Sequence, residues 1–184
     1  IGEKTDDFYK SYTCLKTAMD AIKYRVKIHN TGIIYYEEYP FEVYDIGKII
    51  TAGQKQSYVS KLEAGDIKGA KDCLFTVLRE IRHGEQNYSP VLTYDVLVTY
   101  VDMLTAYCKR IDLYDSVYEE GLKRWNMQID NMCSEKGLLE VTANFITTTL
   151  EHVASEIREK DIKPIRVVKK YIEENFMQEI NLNG

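Results

Sequence analysis

The stretch SPVLTYDVLVTYVDMLTAYCKRI, residues 89–111, decides the fold of this chain. Ser89 is a good helix-capping residue, and Pro90 suits the first helical position because the N–H that it lacks would have no partner there. Apolar side chains then recur at spacings of four and three residues, at Leu97, Val101, Leu104, Cys108 and Ile111. This period predicts a long helix with one face on a core, and therefore a mainly α fold.

Helices are also predicted on both sides of this stretch. Upstream, the break Glu63-Ala64-Gly65-Asp66 separates two helices, because Gly suits a helix end and Asp can cap the next helix. The inner residues of the second of these helices are Ala70, Cys73, Leu74, Val77 and Ile81. Downstream, a shorter helix covers 114–125 and a long one begins near Lys136. Short breaks between such helices predict a bundle of about five helices, which we assign to residues 46–160.

The long helix after Lys136 carries an apolar stripe. Its residues are Leu139, Ile146, Leu150, Val153 and Ile157. We expect a mixed stripe, part core and part contact with a second copy of the chain; the alternative is that all five residues are buried within one subunit. Residues 156–163 are charged and poor in large apolar side chains, so they form either a linker or a helix extension. Pro164 then starts a last helix.

The N-terminal residues predict a helix followed by a strand. Thr5 can cap the helix. Apolar residues follow at spacings of four and three, at Phe8, Tyr12, Leu15, Met19, Ile22 and Val26. Because fewer than four heptads are present, we favour packing of this stripe on its own domain over a coiled-coil-like contact. Residues 33–36 are β-branched or aromatic and predict a short strand, which must pair because a lone strand cannot satisfy its backbone.

Composition limits what the chain does by itself. The net charge of its 184 residues is −5, whereas nucleic-acid binders are usually basic, so we expect it not to hold DNA alone. No apolar run approaches the roughly 20 residues that cross a bilayer. The first residue is Ile1 rather than Met, and no secretory signal is present. We therefore expect a piece of a longer protein.

The cysteines indicate a reducing compartment. None of the four is spaced as a zinc knuckle requires, and each lies in an apolar helical pattern. They are Cys14, Cys73, Cys108 and Cys133. We expect all four to be reduced core residues of a cytoplasmic protein.

Motifs that carry chemistry are lacking in the sequence. Neither a phosphate-binding glycine loop nor a G-x-S-x-G nucleophile turn occurs. The histidines His29, His83 and His152 are far apart in sequence. We therefore expect no catalytic residue, metal or cofactor, and no enzymatic activity. The 15 tyrosines fit packing at the edge of a core, with a small-ligand pocket or an interface as the alternative.

The C-terminal residues carry a family resemblance. IRVVKKYIEENF, residues 165–176, followed by INL, residues 180–182, resembles the opening of an AraC-type (AraC/XylS) DNA-binding domain. The matching residues are Tyr171, Ile172, Asn175, Phe176, Ile180 and Leu182. The resemblance implies that a first helix packs under a helix-turn-helix through Ile165, Val168, Tyr171, Ile172 and Phe176. The recognition helices would follow Gly184, so no DNA-contacting residue is expected in this chain.

The N-terminal residues resemble the same group of regulators. Ser11-Tyr12, Ala18, Ala21-Ile22, Tyr24-Arg25 and residues 33–37 are similar to a region of YesN-like response regulators, which join a receiver to an AraC-type output domain. In those proteins this region closes a degenerate cyclase-like α/β domain. The resemblance therefore implies that 1–45 end such a domain, that 46–160 form a helical relay and dimerisation bundle, and that 161–184 start the DNA-binding domain.

Taken together, the two resemblances imply a non-catalytic signal-relay and dimerisation segment of a bacterial transcription regulator. The implied partners are DNA, contacted by the full-length protein, a second copy of the chain, and a sensor histidine kinase upstream. The alternative is a helical sensor module that binds a small ligand. An enclosed pocket lined by tyrosines favours the sensor, and a flat apolar face with two-fold symmetry favours the relay.

Overall fold

The helices of the chain follow one another through short connections. The computed structural model describes residues 1–2, 4–28, 33–38, 45–84 and 89–175, and this part of the chain is mainly helical. In chain order the helices are α1 (Ser11–Lys23), α2 (Arg25–Ile28), α3 (Ile46–Ile49), α4 (Ala52–Glu63), α5 (Ile67–Gly84), α6 (Pro90–Arg110), α7 (Ser116–Asn131) and α8 (Glu135–Asn175). Short 3-10 turns cover Phe8–Lys10 and Tyr36–Glu38. The mainly α fold class is confirmed.

Helix α6 lies at the centre of the bundle. It contacts α4, α5 and α8, and it is buried over most of its length. Leu97, Val101 and Leu104 of the predicted seam are at most 2% exposed. The helices α4 to α8 are thus the bundle of about five helices that the sequence predicts.

Local capping sets the end of α4 and the starts of α5 and α6 where the sequence places them. Gly65, with φ of +65°, follows α4 in the left-handed region, which glycine adopts without steric cost. Asp66 Oδ1 accepts a hydrogen bond from the N–H of Gly69 at 2.8 Å at the start of α5. Ser89 Oγ accepts one from the N–H of Val91 at 3.2 Å at the start of α6. Each contact satisfies an N–H that has no partner within its helix.

Helix α8 continues unbroken to Asn175. The prediction that Pro164 starts a separate helix is therefore wrong, and residues 156–163 are a helix extension rather than a linker. Glu, Arg and Lys in this segment have high helix propensity, which favours continuation of the helix against the lost N–H donor and the steric clash of an interior proline. The expected boundary between 160 and 161 lies inside this helix.

The prediction of a strand at residues 33–36 is wrong. Residues 33–35 have no regular secondary structure, and Tyr36 begins a 3-10 turn. The N–H of Tyr36 donates to the carbonyl of Ile1 at 2.9 Å, and the amino group of Ile1 donates to the carbonyl of Ile34. This is one step of a parallel ladder between Ile1 and Tyr35. A single pair is too short to make a strand.

Helix α1 packs on the rest of the molecule by its small residues. Thr17 and Ala21 are buried, and Gly2 lies so close that a Cβ there would collide with the carbonyl oxygen of Cys14. In the predicted stripe only Val26 is buried, whereas five residues are exposed: Phe8, Tyr12, Leu15, Met19 and Ile22. The expectation that the stripe packs on its own domain is wrong for these five residues. The face of α1 that carries Thr17 and Ala21, its small face, packs instead, because small side chains let the helix approach its neighbours more closely.

Candidate functional site

The predicted stripe of α8 divides into a core part and an exposed part. Ile146, Leu150 and Val153 are at most 4% exposed and belong to the core of one subunit. Leu139 is partly buried against the same core. Ile157 is 45% exposed. Of the five predicted residues, Ile157 is therefore the one with substantial surface to offer a partner.

Past Ile157, the apolar face of α8 stays exposed. Ile165, Val168, Tyr171 and Ile172 are 47–67% exposed. Helical spacing places them on the face that holds Leu150 and Val153 further up the helix. A groove of about 600 Å³ is lined by Ile165, Val168, Lys169, Ile172 and Glu173. Phe176, predicted with this set, lies outside the described residues. The exposed face can receive another apolar surface.

A second candidate site lies between α7 and α8. Two adjoining cavities of about 220 Å³ each share Gly121, Arg124, Phe145 and Thr148 in their linings. Phe145 is buried, and a Cβ at Gly121 would lie 3.3 Å from its Cε2. The absence of a side chain at Gly121 therefore helps to keep the groove open. Arg124 and Thr148 are exposed and offer polar groups to a ligand.

An acid–histidine pair closes one end of this groove. His152 Nε2 on α8 lies 2.9 Å from Asp115 Oδ2, and Asp115 Oδ1 accepts the N–H of Tyr118 at 2.9 Å. Asp115 therefore caps α7 and links it to α8 at the same time. The Tyr118 N–H first, and His152 second, hold the pKa of the Asp115 carboxyl below its usual value.

Aromatic side chains fix the walls of the groove. The Trp125 and Phe145 rings stack with their centroids 6.0 Å apart, and the Trp125 Nε1–H donates to Thr142 Oγ1 at 3.1 Å. The ring of Tyr118 lies 5.7 Å from that of Phe145, and its hydroxyl is 2.6 Å from Thr105 Oγ1. These contacts join α6, α7 and α8, so the two helices that line the groove, α7 and α8, are held in place by the core.

The buried tyrosines pack as core residues. Tyr58 and Tyr100 meet edge to face with their ring centroids 4.6 Å apart, and the Tyr100 hydroxyl donates to the carbonyl of Cys73 at 3.3 Å. Burial raises the pKa of both hydroxyls. The Tyr58 hydroxyl is buried without a hydrogen-bond partner among the described residues. Tyr94, Tyr107 and Tyr118 belong to the same core cluster, which favours the packing interpretation for these tyrosines.

The cysteines differ in burial. Cys14, Cys73 and Cys108 form no disulfide, and burial raises the pKa of the Cys108 thiol to about 11. Cys14 and Cys73 are partly buried, whereas Cys133 is exposed, so the expected core position is wrong for Cys133. It lies between α7 and α8, where the chain turns at the surface. Across the ranges that the structure describes, His, Cys, Asp and Glu side chains form no group that could hold a metal ion.

Sequence patterns missed the Asp115–His152 pair. The residues are 37 positions apart, and a capping Asp before a helix does not indicate which distant side chain it meets. In the described part of the chain, no helix has the length and apolar character to cross a membrane. No protein-family model, curated protein or solved structure matches the chain.

Proposed function

We propose that this chain is a non-catalytic signal-relay and dimerisation segment of a cytoplasmic bacterial transcription regulator of the AraC type, which acts downstream of a sensor histidine kinase. The observation that carries the proposal is the continuity of α8. One helix holds the bundle core at Ile146 and Leu150 and presents the AraC-like face at Val168 and Ile172. Any rotation of the bundle would therefore turn that face as well.

The length of α8 suits such a relay. Leu150 and Val168 are eighteen residues apart, or about 27 Å along a helix. The exposed side chains of Ile165, Val168, Tyr171 and Ile172 fit the proposal that residues 161–184 start a DNA-binding domain, in which this helix packs under a helix-turn-helix. An apolar face of this kind gains stability when another element covers it.

The N-terminal residues fit the end of an α/β domain. Ile1 and Tyr35 pair in parallel, and α1 lies between them in sequence. Parallel neighbours need a crossover connection, which is usually a helix. This arrangement supports the proposal that residues 1–45 close a degenerate cyclase-like domain.

The test of DNA binding compares this chain with the full product of its gene. Each protein selects duplexes from a random library at physiological salt. We expect the full product to enrich paired half-sites, since regulators of this class read DNA as dimers. We expect the chain alone to enrich none, because its net charge is −5. If the full product enriches no sequence, the proposal is wrong.

The relay is tested by insertions in the exposed part of α8. One alanine inserted after Lys160 turns the following face by about 100°, whereas seven alanines restore its direction to within about 20°. In the full product, we expect the single insertion to weaken binding to the selected paired site by more than the seven-residue insertion does. Equal effects would contradict a relay through helix phase.

The groove between α7 and α8 favours the sensor function as a second candidate. Its lining combines buried aromatic rings with Arg124, Thr148 and His152. Such a mixture suits a small ligand with an aromatic ring and an anionic group. A thermal-shift series with benzoate and related aromatic carboxylates tests it. A stabilisation that disappears in Arg124→Ala, while Lys123→Ala retains it, would support the sensor, and no stabilisation by any of these compounds would contradict it.

A further inference from the structure

Helix α1 and the turn before it expose a continuous apolar stripe. Phe8, Tyr12, Leu15, Met19 and Ile22 are 52–84% exposed. They follow one another at spacings of four and three residues, so they lie on one face of the helix. Large side chains exposed together in this way mark interaction surfaces more often than isolated apolar residues do.

The opposite face of α1 is already occupied. Ala21 is fully buried, and Gly2 lies against the backbone of Cys14. Tyr24, at the end of α1, places its hydroxyl 3.2 Å from Ser89 Oγ, and Lys23 Nζ lies 3.7 Å from Asp95 Oδ1 on α6. These contacts fix α1 on the bundle, so the stripe cannot turn inward. An α/β layer built on the pair of Ile1 and Tyr35 would also lie beside the small face, because Gly2 contacts that face.

We propose that the α1 stripe binds the α1 stripe of a second copy of this chain, with the two helices parallel. This contact would supply the dimer of the proposed function. Only the role of the dimer, and not the contact itself, rests on that proposed function. Two aromatic and three aliphatic side chains offer on the order of 600 Å² per copy. A two-fold pair would then bury about 1,200 Å², the lower end of the range for specific interfaces.

The charges beside the stripe favour the parallel orientation. In the heptad, Lys16 and Lys23 take one flanking position, and Ser11 and Ala18 take the other. In a parallel pair, each flank faces the opposite flank of the partner, so each lysine lies beside a small neutral residue. In an antiparallel pair, like flanks face each other, so Lys16 of each copy approaches a lysine of the other and is repelled, although Lys23 is partly neutralised by Asp20 and Asp95.

The first test is the mass of the chain in solution, measured by analytical ultracentrifugation at high micromolar concentration. We expect a dimer, and a monomer for the double variant Leu15→Glu, Met19→Glu. The single variant Leu15→Glu is compared with its matched control Thr13→Glu, which places the same single charge on an exposed residue of α1 outside the stripe. Circular dichroism follows folding, which the double variant should retain because both residues are exposed.

The second test is orientation by cross-linking. In a background of Cys14→Ser and Cys133→Ser, either Leu15→Cys or Met19→Cys alone should form a disulfide-linked dimer under mild oxidation. Identical core positions face each other in a parallel pair, within the reach of a disulfide. Cross-linking only in a mixture of the two variants would indicate an antiparallel pair and overturn the proposed orientation.

Three results would overturn the proposed contact itself. The first is a wild-type chain that is monomeric at high micromolar concentration. The second is a dimer that the Leu15→Glu, Met19→Glu variant leaves intact. The third is a monomer that binds phosphatidylglycerol vesicles through the stripe, which would assign the surface to lipid. None of these measurements involves DNA, so this contact and the proposed transcription function can fail separately.

Discussion

The Nε–H of Arg25 donates a hydrogen bond to the carbonyl oxygen of Met132 at 2.9 Å, across 107 positions of sequence. Its Nη2 also donates to the carbonyl of Ile129 at 3.3 Å. Both carbonyls lie at the C-terminal end of α7, where a positive charge is favoured, and the Ile129 carbonyl also accepts the Met132 N–H and the Tyr94 hydroxyl. Arg25 therefore joins the N-terminal helices to the bundle.

Replacing Arg25 by alanine should destabilise the chain. The part-buried carbonyls lose a charged donor, and hydrogen bonds of this kind contribute about 1.5–3 kcal/mol. Arg25→Lys should fall between the wild type and Arg25→Ala, since lysine keeps the charge but not the forked geometry. Urea denaturation at neutral pH measures the free energy of unfolding. A loss below about 0.5 kcal/mol for Arg25→Ala would show that the link is not stabilising.

The paired tyrosines of the core should respond oppositely to removal of their hydroxyls. Tyr58→Phe removes a buried hydroxyl that has no partner in the described residues, so stability should stay the same or rise. Tyr100→Phe removes the bond to the Cys73 carbonyl and should cost about 1 kcal/mol. The same denaturation experiment compares the two variants. A larger loss for Tyr58→Phe would reveal a partner for that hydroxyl.

Asp115 should contribute to stability at mild pH and lose that contribution in acid. Its pKa is lowered in the folded chain by the Tyr118 N–H and then by His152. The folded state therefore binds its proton less readily than the unfolded chain, whose Asp pKa is about 3.9. The contribution is complete above that value and disappears as the pH falls through the lower folded pKa.

The measurement for Asp115 is the urea midpoint between neutral pH and strong acid. Asp115→Asn keeps a capping side chain but removes the titration, so its midpoint should fall less steeply below about pH 4 than that of the wild type. Asp130→Asn is the control for loss of an exposed acid. Parallel curves for Asp115→Asn and the wild type would contradict the assignment.

Sequence patterns predicted the features that depend only on residues close together in the chain, namely helix caps and helical periods. The caps at Asp66 and Ser89 and the seam of α6 lie where the sequence places them, because capping and helical period are properties of short segments. Patterns did not predict which face of α1 is buried. Its large stripe and its small face have the same period, and only the close approach of Gly2 decides between them. Patterns also did not predict that α8 continues past Pro164. The charged segment before this proline has high helix propensity, but its composition is equally typical of a linker.

For the candidate dimer surfaces too, the pattern located the apolar stripes but did not show which of them is buried. The sequence located two apolar stripes, around Leu15 and around Leu150, with enough length for a dimer contact, and preferred the second. Burial reverses this preference, since Leu150 and Val153 pack in the core while Leu15 and Met19 are exposed. A stripe that serves a core and a stripe that serves a partner have identical spacing, so packing alone distinguishes them.

Two residues on the same face of α8 give the sharpest test of that reversal. Leu150→Ala should cost about 2–5 kcal/mol, because it leaves a cavity in a packed core. Ile157→Ala should cost less than about 1 kcal/mol, because nearly half of that side chain is exposed. Urea denaturation measures both losses of stability. Analytical ultracentrifugation measures the mass of the Ile157→Ala variant. Since the proposed dimer contact is on α1, Ile157→Ala should leave the mass unchanged. If that variant is a monomer, the dimer contact lies on α8 instead. The part of α8 beyond Val153 would then be covered by a second copy of the chain.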